Sequence, residues 1–112
     1  MRLIDLDAKF LKRNADGSSQ VEGVLLSEAD GIIFLCPKCY VAKGSDVGVH
    51  SIICWFVGRV PDDLLPGPGR WNPSGTGIDD LTFVPPGNVS VSLESNPAGC
   101  RWHGHVKNGE AK

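Results

Sequence analysis

Two short motifs constrain this chain more than anything else in it. Cys36-Pro-Lys-Cys39 offers two thiols separated by two residues, and Cys100-Arg-Trp-His103 offers a thiol and an imidazole at the same spacing near the other end. Two close pairs of soft donors, distant in sequence, are what a tetrahedral Zn2+ ion needs to clip two loops together. Pro37 supplies a fixed φ for the bend that lets both thiols of the first pair reach one ion, and thiolates prefer zinc to hard cations. The second pair requires a bend too, because residues three apart on a straight strand face opposite ways. Gly99 and Gly104 bracket it and permit that bend. The expected site is closed and structural, with Cys36, Cys39, Cys100 and His103 as ligands. The fourth ligand is its weakest element: His105 lies two residues beyond His103, and His50 precedes a strand near the first pair, so either can replace it or support the ligands from outside.

A staple matters at this size. A chain of 112 residues makes one domain (residues 1–112) that buries roughly 65% of its unfolded surface, without a wide margin. Its 14 Gly and 8 Pro favour a loop-rich β domain over a helical one. A net charge of −2 gives no general attraction to nucleic acid or to an anionic membrane. Acids at Asp5 and Asp7 interrupt the apolar core a signal peptide needs. The longest apolar runs, Ile32 to Cys36 and Ile52 to Val57, are too short to span a bilayer. The expectation is a soluble protein of a reducing cytoplasm, where CxxC signals metal or redox chemistry rather than a structural disulfide.

Along the chain, Ile4, Leu6, Ala8 and Phe10 alternate with polar residues and predict a half-buried strand. A turn at Asn14 to Gly17 precedes a second strand over about Gln20 to Leu26. Ile32 to Leu35 forms a buried strand that delivers the chain to Cys36, and Lys43 to Gly48 breaks any helix after it. His50 to Val57 is a strand with His50, Ile52, Cys54 and Phe56 on one side. Residues 61–77, with four Pro and four Gly, form a long irregular loop of the functional or mobile kind. Leu81 to Val84 is a strand and Pro85 to Asn88 a turn. Val89, Val91 and Leu93 then alternate with Ser90, Ser92 and Glu94 in a strand with one wet face. Asn96 to Gly99 turns the chain into Cys100, and Asn108-Gly109 ends it in a turn. No window carries a helical stripe, so the expected fold is all-β, with about six to eight short strands.

Rival chemistries use the same residues. A strand running into Cys36-Pro-Lys-Cys39, with Thr82 to Pro85 downstream, echoes a thiol–disulfide oxidoreductase. That chemistry needs Cys36 at a helix N-terminus, and Gly44, Ser45, Asp46 and Gly48 make a poor helix. A hydrolytic metal would draw a base from Asp62, Asp63, Asp79, Asp80, His50 or His105, with the 61–77 loop as its lid, but three thiolates blunt Lewis acidity. Trp55, Trp71 and Trp102 with Arg59, Arg70, Arg101 and Lys107 offer stacking and phosphate groups for nucleic acid, but form no basic stripe. Cys54, in an apolar strand, is a core residue. Arg70-Trp71 projects from the long loop as a candidate protein-binding pair, with Trp71 pinning the loop to the sheet as the plain alternative.

From Phe34 onward, about two-thirds of the chain resembles a family of small phage and prophage proteins of unknown function, often labelled ammonia monooxygenase. The shared order is Cys36-Pro-Lys-Cys39, His50, the loop Arg70-Trp71-Asn72 to Gly77, Leu81-Thr-Phe-Val-Pro85, and Cys100-Arg-Trp-His103 running to Asn108-Gly109. His105 stands where that family usually has an aromatic residue. The resemblance implies a phage accessory or virion-associated protein, found in the virion or the host cytoplasm, and carries no reaction with it. The expected function is a non-enzymatic zinc-stabilised module that binds a phage structural or host protein.

Overall fold

The computed structural model describes residues 1–93 and 100–112. Its strands are β1 (Lys9–Arg13), β2 (Ser19–Gln20), β3 (Gly31–Leu35), β4 (Ser51–Trp55), β5 (Asn72–Ser74), β6 (Thr82–Val84), β7 (Ser90–Ser92), β8 (His103–Lys107) and β9 (Glu110–Ala111). A seven-residue helix, α1 (Pro37–Lys43), separates β3 from β4. The fold is all-β, with nine short strands among the described residues rather than six to eight. The strands form three antiparallel sheets, ordered β2-β1-β3-β4, β5-β6 and β7-β8-β9.

The central hairpin follows the hydrophobic pattern closely. β3 and β4 pair in register from Gly31 opposite Trp55 to Leu35 opposite Ser51. Ile32 and Phe34 on one strand, and Ile52, Cys54 and Phe56 along the other, are buried on the shared face. Strands β7 and β8 obey the same period of two. Val91 is buried between exposed or half-buried serines, and Trp102, Gly104 and Val106 are buried while His103, His105 and Lys107 face solvent. One core joins these faces, including Leu3, Leu6, Phe10, Ile32, Phe34, Cys54, Phe56, Leu81, Phe83, Val91, Trp102 and Val106.

The N-terminus departs from its alternating pattern. Leu3–Leu6 is a 3₁₀ turn that buries Leu3 and Leu6 and leaves Ile4 in solvent. With three residues per turn, Leu3 and Leu6 fall on one side, and this burial wins over the i, i+2 set. The strand begins only at Lys9. The second predicted strand shrinks to Ser19–Gln20, and Leu26–Glu28 is another 3₁₀ turn. The two chain ends meet: the Leu3 amide donates to the Gly109 carbonyl at 2.8 Å, and the Met1 amino group donates to the Ala111 carbonyl at 2.9 Å. Asn108 (φ 50°) and Gly109 (φ 76°) form the tight turn between β8 and β9, so the chain continues beyond the expected stop as a hairpin. The predicted turn at Asn96 to Gly99, the strand position Glu94 and the role given to Gly99 lie outside the described residues.

The 61–77 loop is tied down from inside. The Arg70 guanidinium donates to the carbonyls of Pro61 (3.0 Å), Asp62 (3.3 Å), Leu64 (2.8 Å), Pro66 (3.1 Å) and Gly69 (2.7 Å). A planar fork of donors suits this task, since one side chain satisfies a row of irregular backbone. Residues 72–74 of the same stretch are β5, paired with β6.

Candidate metal centre

The approach to the centre is set by α1. β3 carries the chain in, Cys36 takes the N-cap position with extended backbone (φ −65°, ψ 120°), and Pro37 occupies the first turn, where its missing N–H costs nothing. The first helical bond, Tyr40 amide to Cys36 carbonyl, measures 2.9 Å. The turn curls Cys39 back toward Cys36. The glycine expected to prevent a helix instead ends a short one: Gly44 sits at φ 69° and its amide caps the Tyr40 carbonyl at 3.0 Å.

Three of the four expected ligands meet there. Cys36, Cys39 and Cys100 are joined by His50, and one ligand atom from each lies within 4.8 Å of all the others. Cys36 is buried and the other three are half-buried. His103 is elsewhere. It is exposed on β8, one position after the buried Trp102, so strand alternation turns it away from the core and the thiols. Cys100 and His103 therefore form no local knuckle, and Gly104 makes no bend, since β8 begins at His103 and runs straight through Gly104.

His50 has a structural reason to be present. The β3–β4 register, ending at Leu35 opposite Ser51, brings Cys36 and His50 together next, and the Cys36 amide donates to the His50 carbonyl at 3.0 Å. Directly opposed residues project on one face with Cβ atoms about 5 Å apart. The signal was present in the sequence: His50 is in phase with Ile52, Cys54 and Phe56, the buried set of that strand.

The donor set fits a soft or borderline tetrahedral ion. The Cys36 and Cys100 Sγ atoms are 3.6 Å apart, well beyond the ~2.05 Å of a disulfide. That spacing is close to the ~3.8 Å between two sulfurs bound tetrahedrally at 2.3 Å. All four cysteines are free thiols. Without an ion, burial pushes the Cys36 thiol up to about 12, offset in part by the amides of Cys39 and Lys38. Burial also raises Cys39. At Cys100 burial acts in the same direction, but hydrogen bonds from His50, the Trp102 amide and the two other thiols outweigh it and bring Cys100 down to about 7. The most acidic thiol, Cys100, sits beside two protonated thiols and an imidazole, ready for a cation that displaces their protons.

The same values weigh against thiol exchange. An attacking thiol at a helix start must be depressed and accessible, whereas Cys36 is buried and raised. Cys54, wholly buried in β4, is also raised by burial and stands outside the cluster. No carboxylate belongs to the cluster among the described residues.

The predicted binding pair is only partly available. Arg70 and Trp71 are both half-buried, but the guanidinium is engaged with its own loop. The Trp71 indole N–H donates to the Ser90 carbonyl at 2.9 Å, and its ring packs 5.9 Å from the Phe83 ring. The Trp71 backbone bonds to Trp55 at 3.0 Å and to Val57 at 2.8 Å, bridging the end of β4 to the segment before β7. Trp71 pins the loop to the sheets. Asp80, weighed as a base, accepts bonds from the Thr76 and Gly77 amides and the Thr76 hydroxyl, which hold its carboxyl below the ordinary range. It closes a turn.

Comparisons with models of protein families, with curated proteins and with solved structures return no match. No helix among the described residues is long and apolar enough to cross a membrane.

Proposed function

We propose that this chain is a zinc-stabilised, non-enzymatic β module that works by binding another protein, a phage structural protein or a host protein. One observation carries the metal half of this reading: four protein donors, three sulfurs and one nitrogen, converge within 4.8 Å. Four protein ligands complete a tetrahedron and leave no position for the water a hydrolytic ion requires. The ion would staple the β3–β4 connection to the segment entering β8, beside the edge-to-face contact of Phe34 and Trp102 at 6.3 Å.

The binding half rests on what the staple holds. The segment between Cys39 and His50 carries Val41 and Val47 with 69% and 77% of their surface in solvent. Held in place by the ion at both ends, this segment is the part of the surface offered to a partner. The loop reading as a catalytic lid loses support, because Arg70 satisfies its backbone from within and Trp71 anchors its end. The setting in the virion or the infected cell rests on the resemblance of the motif order to small phage and prophage proteins.

The test combines composition and company. Protein purified without added metal should carry about one zinc per chain by elemental analysis, and should copurify with virions or with one host protein. Metal-free protein of undiminished stability, with all thiols reactive, would remove the metal half. Zinc-loaded protein that turns over a substrate would remove the non-enzymatic half.

A further inference from the structure

The histidine that fails to reach the thiols has another neighbour. His103 and His105 stand on the exposed face of β8, with ring centroids 6.0 Å apart and planes at 82°. We propose that they form a second, surface metal site: a bis-imidazole clamp for a borderline divalent cation of the Ni2+, Cu2+ and Zn2+ class. This site is independent of the buried Cys/His centre.

The backbone supplies the geometry. Residues i and i+2 of a strand share a face, and β8 is the central strand of its sheet, held by β7 on one side and β9 on the other. Between the two histidines, Gly104 is wedged so tightly that a Cβ there would lie 2.5 Å from the Trp102 ring and 2.6 Å from the Lys112 carbonyl. The two imidazoles are therefore presented from fixed Cα positions, and only their own torsions need adjust. Two rings bound to one ion at about 2.1 Å have centroids about 5 Å apart. Closing from 6.0 Å needs about 1 Å of movement by exposed side chains.

The surroundings set the cation class. Neutral imidazole nitrogen is the ligand of borderline first-row ions and a poor one for Ca2+ or Mg2+. Ser92 and Ser90 lie directly across β7 from His103 and His105 and can add hydroxyl oxygens on the same face. Water would fill the remaining positions. Lys107 shares the face, and Lys112 lies opposite His105 but is paired with Glu110 at 3.6 Å. These cations weaken the site and favour ions high in the affinity order, Cu2+ and Ni2+ over Mn2+.

Ni2+ is the probe, added to untagged protein that carries one zinc per chain in its buried centre, after free and weakly held zinc has been removed by gel filtration. Substoichiometric Ni2+ should broaden the His103 and His105 ring resonances first and leave bound zinc unchanged. His103→Ala and His105→Ala should each weaken Ni2+ binding at least tenfold, and both variants should keep the fold and the zinc of the parent. Broadening centred on His50, displacement of zinc, or equal Ni2+ affinity in the double variant would overturn the proposal. Absence of zinc in the parent would count against the proposed buried centre and leave the Ni2+ result readable.

Discussion

The Cys36 amide and the His50 carbonyl are joined across 3.0 Å, the last rung of the β3–β4 ladder. That rung places an imidazole opposite the first cysteine before any ion is considered. A ligand delivered by an existing strand pairing needs no loop of its own to be ordered, so it costs less chain entropy than a new bend would. The competing histidine, His103, would have to leave β8 and break its pairing with Ser92 to turn inward.

The first prediction follows directly. His50→Ala should lose zinc, whereas His103→Ala and His105→Ala should retain it. Structural zinc contributes on the order of 10 kcal/mol in small zinc peptides, comparable with the ~5–15 kcal/mol total stability of a small domain. Loss of His50 should therefore leave the protein largely unfolded at 37 °C or lower its Tm by more than ~15 °C. Cys54→Ala should keep its zinc, because Cys54 lies outside the cluster. Elemental analysis and thermal melts on the four variants decide it; zinc retained in His50→Ala would mean the ion is held elsewhere.

Much of this arrangement was legible in the sequence, and the remainder was missed for definable reasons. The β3 and β4 strands, the 81–84 strand, the all-β class and three cysteines of one site follow from period-two burial and CxxC spacing. Proximity to Cys100 along the chain favours His103, whereas strand phase favours His50, and the fold follows phase. Trp102, Gly104 and Val106 form a buried set that fixes His103 outward, and Ile52, Cys54 and Phe56 fix His50 inward. Helix α1 is hard to see in the sequence because the same Gly44 that would break a longer helix caps this short one. The Leu3–Leu6 turn is equally hidden, because a 3₁₀ period and a strand period compete over so few residues. That Arg70 folds back on five carbonyls is a property of an irregular loop and has no sequence period.

Proton release provides a second prediction. At pH 7 the metal-free centre holds protons on Cys36 and Cys39, while Cys100 is the thiol that gives up its proton first. Zinc uptake at pH 7 should release between about two and three protons per ion and weaken as the pH falls. In the metal-free protein the thiols act in opposite directions. Cys100, near 7 in the fold against an ordinary 9.0, contributes stability that grows from pH 7 to 9. Cys36, near 12, contributes stability that is complete below 9.0 and lost as the pH climbs toward 12. Metal-free protein should be most stable near pH 9. Urea melts across pH 6 to 11, with the chelator present throughout, measure this; a stability that falls steadily from pH 7 would contradict it.

The 61–77 loop gives a third. Arg70→Ala removes the donor for five loop carbonyls, and rehydration of the exposed ones limits the loss to about 1–2 kcal/mol. Arg70→Lys should not restore it, since an ammonium lacks the planar fork. Trp71→Ala should cost about 2–3 kcal/mol, and Trp71→Phe, which keeps the Phe83 contact but loses the Ser90 bond, about 1 kcal/mol. Denaturant unfolding reports all four. Unchanged stability in Trp71→Ala, together with lost copurification of a partner, would return the pair to a binding role.

Gly104 supports the last prediction, because two readings of it diverge in measurement. As a hinge it would matter through the metal; as a packing glycine it matters through its neighbours. Its amide position lies in regular strand, and the obstacle to a side chain is the Trp102 ring at 2.5 Å and the Lys112 backbone at 2.6 Å. Trp102 cannot retreat freely, since its ring also packs edge-to-face with Phe34 in the core. Overpacking of this kind costs about 1–3 kcal/mol, and more where rigid backbone is the obstacle. Gly104→Ala should therefore lower the Tm by ~10 °C or more, while its folded fraction keeps a full complement of zinc. Gly17→Ala is the matched control: its φ of +88° is strained for alanine but the space around it is empty, so it should cost only about 1 kcal/mol. A Gly104→Ala protein that melts like the parent but has lost zinc would show that the glycine serves the centre after all.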